Sequence, residues 1–116
     1  MARRSAERTT YLADVMTTAI EGGINYWASI DTVSQIEDPT EILGWRYDAA
    51  RVVDLEDGEE YTINLDTIAR GLNRIAKIQP RGRIAAADRD MDAGDLDAID
   101  ADIIVQFGLF GEHVYA

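Results

Sequence analysis

The stretch WRYDAARVVDLEDGEEYTI, residues 45–63, decides the fold. Its centre is Asp57-Gly58, a dipeptide typical of tight β-hairpin turns, because both turn positions require a positive φ that these residue types tolerate. Residues that favour strands lie on both sides of this turn: Val52, Val53, Tyr61 and Ile63. We therefore predict two antiparallel strands, residues 45–55 and residues 60–63.

A third strand is predicted upstream, where the side chains of residues 24–30 alternate between two unequal faces. In such a strand Tyr26 and Trp27 would point to opposite sides of the sheet. Residues 31–44 are mostly polar and are interrupted by a proline, so we expect a loop with a short helical turn at residues 40–43.

The first helix is predicted at residues 10–21, because apolar side chains recur there three or four positions apart. Glycine accepts the left-handed conformation that commonly ends a helix, so Gly22 and Gly23 are expected to stop it. Residues 1–8 precede this helix and are expected to be disordered.

Two further helices follow the hairpin. The second is predicted to be capped by Asn64 or Asp66 and limited by Pro80, which cannot continue a helix. Gly71 lies in its middle at a cost of about 1 kcal/mol relative to alanine, so close packing against another element is expected to compensate. Residues 79–94 are interpreted as a polar connection.

The last helix is predicted to start near Asp95 or Asp100 and to carry two adjacent apolar stripes. Aspartates at its start favour it, because the N-terminal end of a helix dipole is positive. The resulting order is α-β-β-β-α-α, in which strands and helices are segregated. We predict an α+β fold: a single small domain with a three-stranded antiparallel sheet packed against about three helices.

Composition limits the classes of protein that this chain can belong to. It has 116 residues, no cysteine and a formal net charge of −11, with 11 basic residues against 22 acidic ones. The basic residues are ten arginines and Lys77, a bias that fits either a high-GC genome or a halophilic host. The charge opposes direct binding to nucleic acid. Without an apolar run of membrane-spanning length or an export signal, a cytoplasmic protein that binds no membrane is expected.

Two segments resemble a known group of proteins: residues 15–28, VMTTAIEGGINYWA, and residues 103–115, IIVQFGLFGEHVY. They are similar to the hallmark segments of a family of small uncharacterised proteins encoded by tailed phages and prophages of high-GC, chiefly actinobacterial, bacteria. Asn25 and His113 depart from the pattern of that family. The resemblance implies a viral genome context and supplies no catalytic residues.

An aspartate-rich segment, residues 88–102, carries seven aspartates against Arg89, which is −6 of the total charge. Asp88, Asp90 and Asp92 have the spacing of the first ligands in a calcium loop, and they are the weak candidates for a metal site. The pattern then fails, because the turn glycine comes one place late and an isoleucine stands where a bidentate acid belongs. We interpret the segment as a solvated, helix-capping linker and predict no metal.

Aromatic and arginine side chains on the predicted strands form the candidate binding site. Such residues are typical of ligand grooves and interfaces, although packing beneath the helices also explains some of them. The candidate residues for binding a ligand or a partner are Tyr26, Trp27, Trp45, Arg46, Tyr47 and Arg51. An ion pair between Glu21 and Arg70 or Arg74 is also possible.

No catalytic or cofactor motif is recognisable, and the only imidazole, His113, is expected on the surface at a helix end. We therefore expect no enzyme and no cofactor. The sequence favours a phage-encoded accessory protein that acts by occupying a host protein, as in host takeover or counter-defence, and that forms a homo-oligomer. The alternatives are an aromatic groove that sequesters a small anionic ligand such as a nucleotide, an acidic DNA mimic, and a minor virion component.

Overall fold

The computed structural model describes residues 4–116, which form one α+β domain, as predicted. The elements are α1 (Ala6–Thr18), continued by a π-helical turn (Ala19–Gly23), β1 (Ala28–Glu37), β2 (Trp45–Asp54), β3 (Glu60–Asn64), α2 (Leu65–Ile78), α3 (Arg83–Asp90), a 3-10 turn (Ala93–Asp95) and α4 (Ala98–Phe110). The described part of the chain has four α-helices, one more than predicted. None of its helices has the length and apolar character needed to span a bilayer.

The three strands form an antiparallel sheet in the order β1-β2-β3. The β2–β3 hairpin is confirmed, and Gly58 in its turn has a φ of +75°. β1 and β2 pair over their whole length, from Ala28 opposite Asp54 to Glu37 opposite Trp45. The shorter β3 covers only part of β2, from Ala49 to Val53.

The position of β1 differs from the prediction. β1 begins at Ala28 and continues to Glu37, so residues 31–37 are strand where a loop was expected, and residues 25–27 form a turn before it. Almost every residue from 31 to 37 is exposed, so the strand gains its order from pairing with β2 and shows no alternation of buried and exposed positions. An alternating sequence pattern arises when one face of a strand is buried. Neither face of β1 is buried over residues 31–37, so the pattern is absent.

Helix α1 begins at Ala6, earlier than predicted, because the Ser5 hydroxyl accepts a hydrogen bond from the backbone N–H of Arg8 at 3.1 Å and caps it. The expected disorder of residues 1–8 is therefore wrong for the helical residues, and residues 1–3 lie outside the described part. Gly23 does not adopt a left-handed conformation. Instead, a Cβ there would lie 2.8 Å from the carbonyl oxygen of Ala98, so Gly23 permits close approach to α4.

Helices α2 and α4 pack backbone to backbone. A Cβ on Gly71 would lie 2.0 Å from the carbonyl oxygen of Ile104, and one on Gly108 would lie 2.2 Å from that of Thr67. The predicted close contact at Gly71 is thus confirmed. The core beneath the sheet is built on this pair, with α1 beside it. Its largest fully buried apolar side chains are Leu12, Met16, Ile24, Ile63, Ile68, Leu72 and Ile104.

The caps of α2 and α4 use short polar side chains. Asn64 caps α2 in a reciprocal pair with Thr67, and Asp97 caps α4 in a reciprocal pair with Asp100. The predicted polar connection, residues 79–94, contains α3. This helix packs against the domain through the small buried side chains of Ala85 and Ala87. Such a short helix with small apolar residues leaves only a weak periodic signal.

Candidate functional site

The six predicted binding residues do not form one groove. Tyr26 and Trp27 immediately precede Ala28 at one end of the β1–β2 hairpin, whereas Trp45, Arg46 and Tyr47 lie at the other end. The ten residues of β1 between them span roughly 30 Å at about 3.3 Å per residue. The prediction that these aromatic side chains line a common surface is therefore wrong.

The two candidate arginines are engaged by carboxylates of the same chain. The Nε of Arg46 donates to Asp38 at 3.1 Å, and Arg46 also donates to the Tyr47 carbonyl. Arg51 donates to the Glu60 carboxylate at 2.8 Å on the exposed side of the sheet. Since each guanidinium already has an anionic partner, neither residue is set up to capture an anionic ligand.

Tyr26 and Trp27 converge on one buried carboxylate, that of Asp102. Trp27 Nε1 donates to Asp102 Oδ1 at 2.7 Å, and the Tyr26 hydroxyl donates to Oδ2 at 2.6 Å. Burial and the hydrogen bond to Asp102 raise the pKa of Tyr26 to about 12. The expected opposite orientation of these two residues is wrong, because both lie in the turn before β1 and neither belongs to a strand.

The same cluster holds segment 111–116 against the domain through Gln106, whose side chain is fully buried. Gln106 Oε1 accepts the backbone N–H groups of Val114 and Tyr115 at 2.8 and 2.7 Å, and Nε2 donates to Asp102 at 2.9 Å. The Tyr115 ring stacks on Trp27 with centroids 5.2 Å apart, and its hydroxyl donates to Asp54. These contacts join the two segments that carry the family resemblance, and they give both a structural role.

The aspartate-rich segment serves mainly to hold the helices. Asp88 pairs with Arg8 at 2.5 Å, and Asp100 makes two hydrogen bonds of 2.6 Å with Arg83. Asp92 accepts the backbone N–H of Gly94, as a helix-capping side chain would. Asp88 and Asp90 lie in α3, so the alternating loop geometry of a calcium site does not form. Across residues 4–116, no three histidine or acidic side chains converge as metal ligands.

Of three other residues singled out in the sequence, Arg70 and Arg74 have different partners from those expected, and His113 is exposed as expected. Arg70 and Arg74 donate to the carbonyl oxygens at the end of α4, those of Gly108 and Phe107, so neither pairs with Glu21. His113 is exposed, in agreement with the prediction, and lies beyond the end of α4 beside an apolar depression. Within residues 4–116 its imidazole makes no hydrogen bond or ion pair to suggest an acid/base role.

The most exposed apolar surface lies on the outer half of the β1–β2 hairpin. We call residues 31–48 the arm: the end of β1, the loop of residues 38–44 and the start of β2. Its strands pair only with each other, because β3 begins to pair at Ala49, and most of the arm is exposed on both faces. Its exposed apolar side chains are Val33, Ile36, Ile42 and Leu43, and the last two are 102% and 74% exposed.

The loop at the tip of the arm is held by Asp38. The Asp38 carboxylate accepts hydrogen bonds from the backbone and hydroxyl of Thr40 and from Arg46, and these interactions hold its pKa below the usual range. Gly44, at a φ of +78°, returns the chain into β2. Ile42 and Leu43 are therefore displayed from a hydrogen-bonded loop.

A cavity of about 370 Å³ separates the tip end of the arm from α1, and Ile42 and Leu43 belong to its lining. Trp45 and Tyr47 form part of its wall, with their rings edge to face and their centroids 5.3 Å apart. Three carboxylates also line it, those of Asp14, Glu21 and Glu41. Burial raises the pKa of Asp14, and burial together with the Asp14 charge raises the pKa of Glu41.

Sequence reasoning found Trp45, Arg46 and Tyr47 as candidates but did not assign the other residues of this wall to the site. The apolar pair Ile42-Leu43, separated from Trp45 only by Gly44, was a signal, because neighbouring exposed apolar residues in an otherwise polar loop often mark an interaction site. Asp14 on α1 and Glu21 in the π-helical turn that continues it are seven residues apart, and both line this cavity. Glu41 joins them only through the fold.

No protein-family model, curated protein or solved structure matches this chain. The similarity to phage-encoded proteins therefore stays a prediction.

Proposed function

We propose that this chain is a phage-encoded, non-enzymatic binding protein that acts by occupying a host protein, and that the arm is its contact surface. The exposed apolar tip of the arm carries this proposal. Protein domains rarely expose neighbouring large apolar side chains unless another molecule covers them. Ile42 and Leu43 lie together at the tip of a two-stranded ribbon, and their side chains are exposed although one side of the ribbon faces α1.

The apolar area on the arm is sufficient to matter for binding. Full burial of one isoleucine, leucine or valine side chain contributes roughly 1.5 to 3 kcal/mol. Val33 and Ile36 are less than half exposed, so covering the four side chains of the arm would contribute roughly 4 to 8 kcal/mol before the costs of association. Trp45 and Tyr47, half-buried beside them, are of the residue types that dominate binding energy at interfaces.

Other features of the domain support binding over catalysis. In the strongest cluster of polar side chains Asp102 and Gln106 are buried, Tyr26 is half exposed, and the members bond to one another. A catalytic group must reach the proton or atom on which it acts, and these groups are directed at each other. An absence of turnover remains a prediction that assays of the purified protein can test.

The alternative functions have weaker support. A pocket for a small anion is disfavoured, because three carboxylates line the aromatic cavity and Asp38 engages Arg46. DNA mimicry by the aspartate-rich segment is disfavoured, because Asp88, Asp97, Asp100 and Asp102 already bond to other groups of the domain. The virion component and the homo-oligomer stay predictions.

Affinity capture from an actinobacterial lysate tests the proposal. The baits are the wild-type protein, the double variant Ile42→Ser/Leu43→Ser, and the control Ile99→Ser, which removes another exposed isoleucine outside the arm. We expect the wild type and the control to retain one host protein that the double variant loses. We also expect retention to persist at high salt, since apolar contacts are not screened. Equal capture by all three baits, or loss of capture at moderate salt, would refute a role for the arm.

A further inference from the structure

One face of α1 lines a continuous groove. The polar residues of this face are spaced three or four positions apart: Glu7, Thr10, Asp14, Thr17 and Glu21. They line two neighbouring cavities, one of about 510 Å³ and the aromatic one of about 370 Å³, and Asp14 belongs to both. We call this feature the α1 groove. Its opposite wall is the tip loop of the arm together with residues 90–94.

The α1 groove is acidic: the carboxylates in its lining outnumber its one guanidinium, that of Arg46, which is bonded to Asp38 and only partly offsets the charge on Glu41. In the part of the chain that the structure describes, no basic side chain forms an ion pair with Glu7, Asp14, Glu21, Glu41 or Asp90. Asp14 and Glu41 repel each other, and burial of both raises their pKa values. Unpaired carboxylates in a partly buried site favour a cationic group placed between them.

A buried hydroxyl provides independent evidence for a ligand. Tyr11 lines the larger cavity, only 2% of the residue is exposed, and its hydroxyl has no hydrogen-bond partner within residues 4–116. Unpaired buried polar groups are costly and are rare in folded proteins. Burial, followed by the charge of Asp88, raises the pKa of this hydroxyl to about 12. The phenol oxygen has lone pairs that can accept a hydrogen bond from a cationic donor.

Two further features of the wall suit a cationic side chain. Glu41 Oε1 is buried and also lacks a partner. The rings of Trp45 and Tyr47 lie in the same cavity as the carboxylates, and aromatic faces attract guanidinium and ammonium groups. The carboxylates of this cavity would repel a small anion.

We propose that the α1 groove binds a basic segment of the protein partner and places one of its arginine or lysine side chains between Asp14 and Glu41. This inference rests on the proposed function and names the chemistry of the partner. Glu7 and Asp14 on α1 and Glu21 in the π-helical turn that continues it are spaced seven residues apart, which is about 10 Å per interval. The groove therefore also offers carboxylates to the neighbouring basic residues of the same segment.

A peptide titration tests the groove directly. The probe is a capped peptide of alternating arginine and serine, compared with the same peptide in which citrulline, a neutral isostere, replaces arginine. Binding is measured at about 0.15 M salt, where charges separated by more than about 8 Å are screened. Amide chemical shifts locate the bound peptide. The double variant Asp14→Asn/Glu41→Gln is compared with Glu56→Gln/Glu59→Gln, which removes the same charge from the exposed β2–β3 turn.

We expect the arginine peptide to shift the amides of α1 and of residues 38–47, and the citrulline peptide to leave them unchanged. The groove variant should bind on the order of tenfold more weakly, and the turn variant should remain within about twofold of the wild type. Equal weakening of both variants, binding of the citrulline peptide, or shifts on another face would overturn the inference. If the groove variant retains a captured host protein that the arm variant loses, the proposed function stands and this inference fails.

Discussion

Replacement of Gln106 by alanine removes the amide that holds segment 111–116 against the domain. This side chain is fully buried, and it binds the backbone of Val114 and Tyr115 as well as the Asp102 carboxylate. Alanine leaves these groups without their partner. We expect the segment to detach and Tyr115 to leave the face of Trp27.

The magnitude follows from the hydrogen bonds lost. Gln106 makes three bonds to the backbone of the segment, two through Oε1 and one from Nε2 to the Tyr115 carbonyl oxygen. Each contributes about 1 kcal/mol net, and the bond to the Asp102 carboxylate contributes roughly 1.5 to 3 kcal/mol. When the segment is released, its backbone groups form hydrogen bonds with water, and this recovers part of the lost free energy. We therefore expect a loss of about 3 to 5 kcal/mol in the free energy of unfolding, or roughly 12–20 °C in Tm.

Urea unfolding followed by circular dichroism measures this loss, and hydrogen exchange of the Val114 and Tyr115 amides reports the segment itself. Gln79→Ala is the matched control, because it truncates an exposed glutamine at the end of α2 and should change stability by less than about 0.5 kcal/mol. A loss below about 1 kcal/mol in Gln106→Ala, with both amides still protected, would show that the aromatic stacking holds the segment without the amide.

Three further predictions concern packing and pH. Gly71→Ala should destabilise the domain by about 2 kcal/mol or more in urea unfolding, because the new Cβ would overlap a carbonyl of α4, whereas Gly22→Ala, with nothing within 4 Å, should be tolerated. Burial would raise the pKa of Asp54, but hydrogen bonds from Tyr115 and two backbone amides outweigh it and lower that pKa. The stability from Asp54 is therefore present above a pH of about 4 and lost as the pH falls through the folded pKa, so Asp54→Asn should flatten this part of a Tm-versus-pH curve. Since burial raises the pKa of Asp14, its charge opposes folding at neutral pH, and Asp14→Asn should keep or raise Tm; a clear fall would contradict the absence of a partner for this carboxylate.

The fold was largely predictable because its signals are local. Asp57-Gly58 specified the hairpin, Asn64 the start of α2, and Gly71 a close helix contact, and each depends on residues near it in the chain. The exposed half of β1 was missed because nothing buries one of its faces, so the polar and apolar residues of 31–37 do not alternate in the way a half-buried strand requires.

The candidate site was harder to predict, because it depends on contacts between distant parts of the chain. Trp27 and Asp102 are 75 residues apart, and no pattern in either segment indicates that the indole bonds to that carboxylate. Glu41 faces Asp14 only because β1 and β2 carry the loop between them back to α1. Residue types could identify aromatic and acidic candidates. They could not show that Trp27 and Trp45 lie at opposite ends of the β1–β2 hairpin.

The arm also has a consequence for how this protein can change over evolutionary time. Both outer edges of its ribbon are free of other strands, so insertion or deletion of matched pairs of residues would lengthen or shorten it while every helix stays in place. If the arm is the contact surface proposed above, its exposed side chains could diverge quickly, because they take no part in the Gly71–Ile104 contact that holds α2 against α4. A conserved body with an interchangeable ribbon would allow one scaffold to follow a target that mutates to escape it.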